Sequence, residues 1–103
     1  MANMSNKKVI SSYVPLPICV INRQGKVLSA SDRINEVFIY DEIVDSDIFT
    51  LTGVKVAELF EAASEQYPTI KRNDKAFRLV TKLIDEDGEQ LLSVLFNDIT
   101  TFE

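Results

Sequence analysis

The chain has 103 residues, enough for one domain with its own hydrophobic core and too few for two domains. Its 46% hydrophobic and 26% charged residues are typical of a soluble globular protein, and no apolar run approaches the ~20 residues that span a membrane. The net charge of -5 argues against nucleic acid as a partner, and the lack of histidine excludes Ser-His-Asp catalysis and His-ligated zinc or haem. One cysteine and no recognisable secretory signal indicate a reducing, cytoplasmic setting.

The first 15 residues are expected to flank the domain. Apolar residues between Val9 and Val14 fall at helical spacing behind Asn6, which suits an N-cap, and Pro15 and Pro17 would end such a helix. A loose chain terminus is the alternative interpretation. Residues 1–15 are therefore predicted to form a flanking segment or a short helix.

The stretch that follows predicts a β-hairpin leading into a helix. Pro17 to Ile21 is a short apolar run that suits a buried strand, and Asn22 to Gly25 supplies a turn in which glycine takes a positive φ. Lys26 to Ala30 then returns as the partner strand. Ser31 and Asp32 are predicted to cap the next helix, because their side-chain oxygens can accept from its first N–H groups.

The middle of the chain predicts helices with an acidic surface. Ile34, Val37 and Phe38 have the i, i+3, i+4 spacing of a short helix, and Asp47 is placed to cap a brief turn further on. The clearest helix has apolar residues at i, i+3, i+4 and i+7, namely Val56, Leu59, Phe60 and Ala63. Residues 31–66 hold nine acids and two bases, which predicts a solvated acidic face.

Three further strands complete the pattern. Tyr67 to Lys71 reads as an edge strand, and Lys75 to Ile84 and Glu89 to Phe96 form a longer hairpin across Asp85 to Gly88. The last strand is apolar on both faces. Two strands before the helices and three after them predict an α+β fold, with helices on one face of a five-stranded antiparallel sheet.

Short motifs give this pattern a family resemblance. Asp98 to Thr100 follow the last strand directly, Gly25 lies in the first turn and Gly53 precedes the clearest helix. In this order and spacing they resemble a PAS domain, a sensory module whose last strand commonly ends in Asp-Ile-Thr. The resemblance covers residues 16–100, places the domain at residues 16–103, and implies the strand order 2-1-5-4-3.

The resemblance also implies a function. It indicates a sensory or regulatory domain of a larger bacterial signalling protein, which senses a small ligand or cofactor, mediates dimerisation and is not itself an enzyme. The alternative is a ligand-free structural dimerisation module. Many PAS domains carry Asn where this chain has Ser31, so a ligand contact by that amide loses support.

The parent protein is a further expectation from resemblance. The run from Val14 to Ile18 is similar to the PAS domain of membrane-anchored cyclic di-AMP phosphodiesterases, which also carry GGDEF and DHH domains. Sensor histidine kinases and transcriptional regulators are alternative parents. In each case the fragment is expected to be cytoplasmic, joined to an effector domain, and without contact to nucleic acid or membrane.

A PAS fold implies a cavity between the helices and the sheet. The candidate lining residues are Ile34, Phe38, Phe49, Leu59, Phe60, Phe77, Leu79 and Leu91, with Leu92 as the alternative to Leu91. Haem or a small planar, apolar ligand would suit this lining, and the alternative is that the side chains fill one another as a closed core. Cys19 is expected to be a packing residue. A solvated surface rather than a metal site is expected for the acids Asp41, Glu42, Asp45 and Asp47.

A homodimer is predicted from the number of apolar strand residues. Cys19 and Ile21, or else Leu92, Val94 and Phe96, are expected not to fit together on the helix side of the sheet. A second copy would then cover the outer face, together with the flanking segment.

The signalling exit is predicted at Asp98, Ile99 and Thr100, because these residues end a central strand that also borders the cavity. The carboxylate of Asp98 is expected to bond Arg23 or Lys26 of the first turn. The alternative is that Asp98 caps a helix that begins at Ile99.

Overall fold

A computed structural model describes residues 16–38, 43–62, 66–72 and 74–100. The strands are β1 (Ile18–Ile21), β2 (Val27–Ala30), β3 (Thr69–Arg72), β4 (Lys75–Glu86) and β5 (Glu89–Asp98). A 3₁₀ helix (Asp32–Glu36), α1 (Ile48–Thr52) and α2 (Val56–Glu61) lie between β2 and β3. All strand pairs are antiparallel, in the order β2-β1-β5-β4-β3, so the predicted α+β fold and strand order are confirmed. The flanking segment at residues 1–15 lies outside the described residues.

The first hairpin turn has the conformation that its sequence predicts. The side-chain Oδ1 of Asn22 accepts from the backbone N of Gln24 at 3.0 Å and of Lys26 at 2.9 Å. Gly25 has φ +87° and is buried. Its backbone O accepts from Ile48 N at 2.7 Å, which brings the turn close to the start of α1. The glycine is therefore required by both the left-handed conformation and the close approach of α1.

The second hairpin is longer than predicted. β4 and β5 remain paired out to Glu86 and Glu89, and a two-residue turn of Asp87 and Gly88 joins them. Both turn residues have positive φ, 52° and 82°, as an Asp-Gly turn of type I′ requires. The tight turn lets the ladder run to the end of the hairpin, and β5 extends to Asp98.

The helical middle packs along one edge of the sheet as well as over one face. Val27 N donates to Ser46 O at 2.9 Å and Asp45 N donates to Val27 O at 2.8 Å, so the connector pairs with the edge of β2. Asp47 caps α1 as predicted, because its carboxylate accepts from Thr50 N at 3.1 Å. In the part of the chain that the structure describes, no helix is long and apolar enough to cross a membrane.

The predicted helix after Ala30 is a 3₁₀ helix that begins at Asp32, and Ser31 does not cap it with its side chain. The Ser31 hydroxyl instead accepts from Ile18 N at 3.1 Å and donates to Leu16 O. Ser31 itself is fully buried, and its hydroxyl satisfies part-buried backbone groups at the start of β1. Its role is to join β1 to the strand-helix junction.

The helix side of the sheet accommodates all five residues that were expected not to fit there. Cys19 pairs with Val94 and Ile21 with Leu92, so these side chains share one face with Phe96. All five belong to one core cluster together with residues of the three helices. The stated reason for predicting a homodimer was therefore wrong.

The opposite face of the sheet, called the outer face below, carries the alternate residues. Across β4 and β5 it holds five paired rows: Arg78 with Asn97, Val80 with Leu95, Lys82 with Ser93, Ile84 with Leu91, and Glu86 with Glu89. Ile18 and Val20 of β1 extend the second and third rows. The outer face thus has a basic row at one end and an acidic row at the other, with an apolar row on each side of Lys82 and Ser93 between them.

Candidate functional site

Five of the eight predicted lining residues pack against one another between the helices and the sheet. These are Ile34, Phe38, Leu59, Phe77 and Leu79, each at most 4% exposed and all in the core cluster. Ile34, Leu59 and Leu79 are 0% exposed, which leaves no space for a water molecule beside them. The structure brings these five side chains together in the core, and the described residues leave them almost no exposed surface.

The other predicted lining residues are distributed differently. Leu91 is buried, but it pairs with Ile84 on the outer face and is absent from the core cluster, so Leu92 is the residue that faces the helices. Phe49 is 48% exposed on α1, because Ile48 is the residue of that turn that points into the core. Leu91 and Phe49 therefore do not line the space between the helices and the sheet.

Phe60 borders an open cleft at the surface. It is half-buried on α2, and the guanidinium carbon of Arg23 lies 4.5 Å from the centre of its ring. Val56, Ala57 and Glu61 complete the lining of this cleft, which has a volume of about 240 Å³. The first turn therefore meets α2 through a cation–π contact that sequence analysis missed.

A second guanidinium, that of Arg72, packs on the core at Val37 and Phe38. Arg72 of β3 donates from Nε to Val37 O at 2.7 Å, and its guanidinium carbon lies 4.6 Å from the centre of the Phe38 ring. Phe38 in turn packs edge-on against Phe96, with ring centres 5.4 Å apart and an interplanar angle of 84°. An edge strand thereby holds the end of the 3₁₀ helix against the sheet.

Cys19 and the described acids do not form a reactive or metal-binding site. Burial raises the pKa of the Cys19 thiol to about 12, so the thiol stays protonated and unreactive at neutral pH. The carboxylates of two of these acids already have partners: Asp45 Oδ1 lies 3.5 Å from Lys26 Nζ, and Asp47 caps α1. Among the residues that the structure describes, no group of three His, Cys, Asp or Glu residues could hold a metal ion. Asp41 and Glu42 lie outside those residues.

The predicted signalling exit is bonded to the start of β4. Ile99 N donates to Ala76 O at 2.8 Å, and Ala76 N donates to the side-chain Oγ1 of Thr100 at 2.9 Å. Thr100 N donates to Asp98 Oδ1, also at 2.9 Å. The motif therefore continues the β4–β5 ladder with a side-chain hydroxyl and folds back on itself through Asp98.

The expected bond from Asp98 to the first turn is wrong. Ile18 pairs with Leu95 and Phe96 N donates to Pro17 O, so Asp98 lies beyond the start of β1, whereas the turn follows the end of β1. Antiparallel pairing thus puts the two groups at opposite ends of the sheet. Arg23 and Lys26 contact Phe60 and Asp45 instead.

The local electrostatics of the exit favour the charged form of Asp98. Hydrogen bonds from the Thr100 side chain and backbone, with a smaller contribution from the charge of Lys75, lower the pKa of the Asp98 carboxyl below its usual value of 3.8. The carboxylate accepts from Thr100 N, two residues further on, and a helix that began at Ile99 would run into residues 101–103, which lie outside the described residues.

Comparison with known proteins identifies the fold. No family model and no curated protein matches the chain. The structure is similar to the PAS domain of an HTR-like protein from Haloarcula marismortui, with a TM-score of 0.64, 15% identity, and coverage of 85% of this chain and 90% of that one. It is also similar to the PAS domain of a protein from Desulfitobacterium hafniense, with a TM-score of 0.66, 19% identity, and coverage of 85% and 96%.

An α+β domain with this strand order and these structural neighbours has the PAS fold. The resemblance stated from the sequence motifs is therefore confirmed at the level of the fold. At 15–19% identity the likeness defines the architecture alone.

Proposed function

We propose that this chain is a non-catalytic regulatory domain of a larger signalling protein, acting as a dimerisation module whose state is passed on through Asp98 to Thr100. The observation that carries the proposal is the position of β5. This strand is central in the sheet, contributes Leu92 to the core and Leu95 to the outer face, and ends in the exit motif. A shift of β5 caused on either face therefore reaches the end of the domain directly.

The dimerisation role is supported by the composition of the outer face. Its second and fourth rows are apolar, and Val80, Ile84 and Leu95 on them are half-buried, so part of each side chain remains accessible. Val20 and Leu91 are already at most 2% exposed within the single chain. Covering the accessible remainder with a second copy would remove apolar surface from water.

Ligand sensing receives less support from the described core. Three of its central side chains are 0% exposed, so a ligand between helices and sheet would require the core to open. The cleft beside Phe60 favours a second candidate function, in which a small planar ligand stacks on this ring in place of Arg23.

Oligomeric state and ligand binding are measured separately. Sedimentation equilibrium of the 103-residue chain is expected to give a dimer that is weakened by deletion of residues 1–13. A monomer at high concentration, with unchanged stability after the deletion, would rule out the dimerisation role.

For the second candidate, haem and a planar aromatic probe are titrated against wild type and Phe60→Trp, with thermal melting as the readout. Ligand binding at the cleft predicts a higher melting temperature for wild type and a different shift for the variant. Indistinguishable, unshifted melting curves would eliminate this candidate and leave the dimerisation module alone.

A further inference from the structure

The strand β3 forms one edge of the sheet, and this edge is regular. The strand order ends at β3, which pairs with β4 alone in the part of the sheet that the structure describes. Its register with β4 runs without a bulge from Thr69 to Arg72, and no proline lies within it. Thr69, Lys71 and Arg72 are exposed, and Ile70 is half-buried. An exposed, regular edge of this kind is a template on which another extended chain can pair.

The pairing with β4 determines which backbone groups of β3 point away from the sheet. Leu79 N donates to Pro68 O at 2.9 Å, which marks a hydrogen-bonded pair. Such pairs alternate with non-hydrogen-bonded pairs in an antiparallel ladder, so the next residue, Thr69, does not bond β4. The same alternation turns Lys71 away from β4. The N–H and C=O groups of Thr69 and Lys71 therefore point to the open edge.

The backbone of Ala76 agrees with this assignment. Ala76 is the partner of Lys71 in the register of β3 and β4. Its O accepts from Ile99 N at 2.8 Å, and its N donates to Thr100 Oγ1 at 2.9 Å. Both backbone groups of Ala76 thus point to the β5 side and leave those of Lys71 to the open edge. The edge is also only one strand away from the exit motif.

This edge is basic in a chain that is acidic as a whole. Residues 69–78 carry four bases and one acid, against a net charge of -5 for the chain. A cleft of about 360 Å³ opens beside the end of β3, and its lining consists of Lys71, Asp74, Lys75, Ala76 and Thr100. A carboxylate side chain can therefore enter this cleft and lie next to two ammonium groups.

We infer that β3 binds an extended acidic segment of a partner protein as an added antiparallel strand. The segment exchanges backbone hydrogen bonds with Thr69 and Lys71, and its carboxylates lie beside Lys71 and in the cleft. This inference goes beyond the proposed dimerisation, because it involves neither the apolar rows of the outer face nor a second copy.

The charge of the edge selects the occupant. Pairing between the β3 strands of two copies would bring the bases of one copy next to those of the other, and like charges at paired positions destabilise a sheet. An acidic segment meets opposite charge at the same positions and is steered towards them. The chemistry of the edge thus disfavours self-pairing and favours an acidic partner.

Strand alternation also specifies the side chains of the segment. Thr69 lies on the outer face because it pairs with Arg78, and Lys71 lies on the same face, while Ile70 lies on the helix side. The residue opposite Lys71 is then acidic, the next is apolar to match Ile70, and the third is a threonine opposite Thr69. A further acid opposite Arg72 gives the pattern Glu-Glu-Val-Thr.

Amide hydrogen exchange of the full chain tests the pairing. The probe is the peptide Ser-Gly-Glu-Glu-Val-Thr-Gly-Ser with acetylated and amidated ends. Exchange at Thr69 and Lys71 is expected to slow by about threefold or more when the peptide is added, with a smaller change at Ile70, whose N–H already bonds β4. Unchanged exchange at Thr69 and Lys71 at millimolar peptide would overturn the proposal.

N-methylated peptides separate strand pairing from attraction between charges. In the antiparallel arrangement the threonine N–H of the peptide donates to Thr69 O, whereas the valine N–H points away from β3. Methylation of the threonine N is expected to raise the Kd by about tenfold or more, and methylation of the valine N is the matched control, with a Kd within about threefold of the parent peptide. Equal affinities of the two methylated peptides would contradict pairing at the edge.

Charge reversal tests the preference for acids. Lys71→Glu is expected to raise the Kd of the peptide by about tenfold or more at low salt. Lys82→Glu is the matched control, because Lys82 is exposed on β4 about 13 Å beyond Arg78, where the pairing with β3 ends. This control is expected to change the Kd by less than about threefold. Equal losses in the two variants would mean that only the net charge matters, and the proposed site would be wrong.

These outcomes are independent of the proposed dimerisation. A monomeric wild type that binds the peptide removes the dimerisation role and keeps the acidic partner of β3. If exchange at Thr69 and Lys71 slows with rising protein concentration in the absence of peptide, the edge pairs with a second copy, and the acidic partner is overturned.

Discussion

The buried hydroxyl of Ser31 shows how one small side chain can join two parts of this fold. It accepts from Ile18 N and donates to Leu16 O, while its own backbone N donates to Ile18 O at 2.9 Å. The residue before the 3₁₀ helix is thereby bonded to the start of the central strand β1. The side chain thereby serves the sheet, because a backbone donor that loses its acceptor away from water is costly.

Removing that hydroxyl is predicted to destabilise the domain. Ser31→Ala removes the acceptor of the part-buried Ile18 N, and a free energy of unfolding lower by about 1–3 kcal/mol is expected in urea denaturation. Ser93→Ala is the control, because the Ser93 hydroxyl makes only a long bond of 3.5 Å to Lys82 O. Equal losses for the two variants would contradict the role assigned to Ser31.

Gly25 is predicted to be the least replaceable glycine. Gly25→Ala and Gly88→Ala both put a side chain at positive φ, which costs about 1–2 kcal/mol. A Cβ on Gly25 would also lie 3.3 Å from Asp47 Oδ1 and Ile48 Cγ2, whereas nothing lies within 4 Å of one on Gly88. Thermal or urea unfolding is therefore expected to show that Gly25→Ala is the more destabilising by about 1 kcal/mol or more.

The pKa of Asp98 is a measure of the hydrogen bonds within the exit motif, Asp98 to Thr100. Because hydrogen bonds from Thr100 lower this pKa, the folded state binds a proton less readily than the unfolded state, so the contribution to stability is complete above the usual value of 3.8 and is lost as the pH falls through the folded value. Thr100→Val removes the hydroxyl donor and is expected to raise the pKa towards 3.8 in an NMR titration of the carboxyl carbon. An unchanged pKa would mean that the Thr100 hydroxyl does not bond Asp98.

At the scale of elements, the exit motif is held by few bonds, and these are the ones expected to break first. Thr100→Val also removes the acceptor for Ala76 N, while Ile99 N keeps its bond to Ala76 O. Faster amide hydrogen exchange is therefore expected at Ala76, with no change at Lys82 in the middle of β4. Equal exchange rates at Ala76 in wild type and variant would show that the hydroxyl does not hold the motif.

The strands were largely predictable from the sequence. For the last strand, the face of the sheet that each side chain occupies was not. Alternation in β4 placed Phe77 and Leu79 on one face and Arg78 on the other correctly, because polar residues there mark the solvent side. β5 has apolar residues on both faces, so its pattern does not determine whether Leu91 or Leu92 faces the helices, and only the register with β1 decides this.

The position of Asp98 and two arginine–aromatic contacts could not be predicted from the sequence for a similar reason. The end of the sheet at which Asp98 lies depends on long-range antiparallel pairing, which no local motif reports. The contacts of Arg23 and Arg72 with Phe60 and Phe38 depend on how helices and strands cross, and isolated arginines carry no signal for it. The PAS resemblance supplied the strand order that periodicity alone could not.

At the scale of the whole molecule, the question is whether the space between helices and sheet is filled or able to admit a ligand. A filled core predicts that a cavity exists only when a side chain is removed. Leu79→Ala deletes a 0% exposed side chain from the core cluster, and is expected to lower the free energy of unfolding by about 2–5 kcal/mol. The resulting apolar cavity should bind a small probe such as benzene, which would raise the melting temperature of the variant and not of wild type.

Leu91→Ala is the matched control for this prediction, because Leu91 is equally buried but lies on the outer face, outside the core cluster. The cavity left by Leu91→Ala would be separated from the core by the sheet. The rise in melting temperature that benzene causes is therefore expected to differ between Leu91→Ala and Leu79→Ala. If benzene stabilises wild type as strongly as Leu79→Ala, the core opens readily, and ligand sensing between helices and sheet becomes the better account of what this domain does. If only the variant responds, the domain transmits contacts made at its surface, and β5 carries them from the outer face to Thr100.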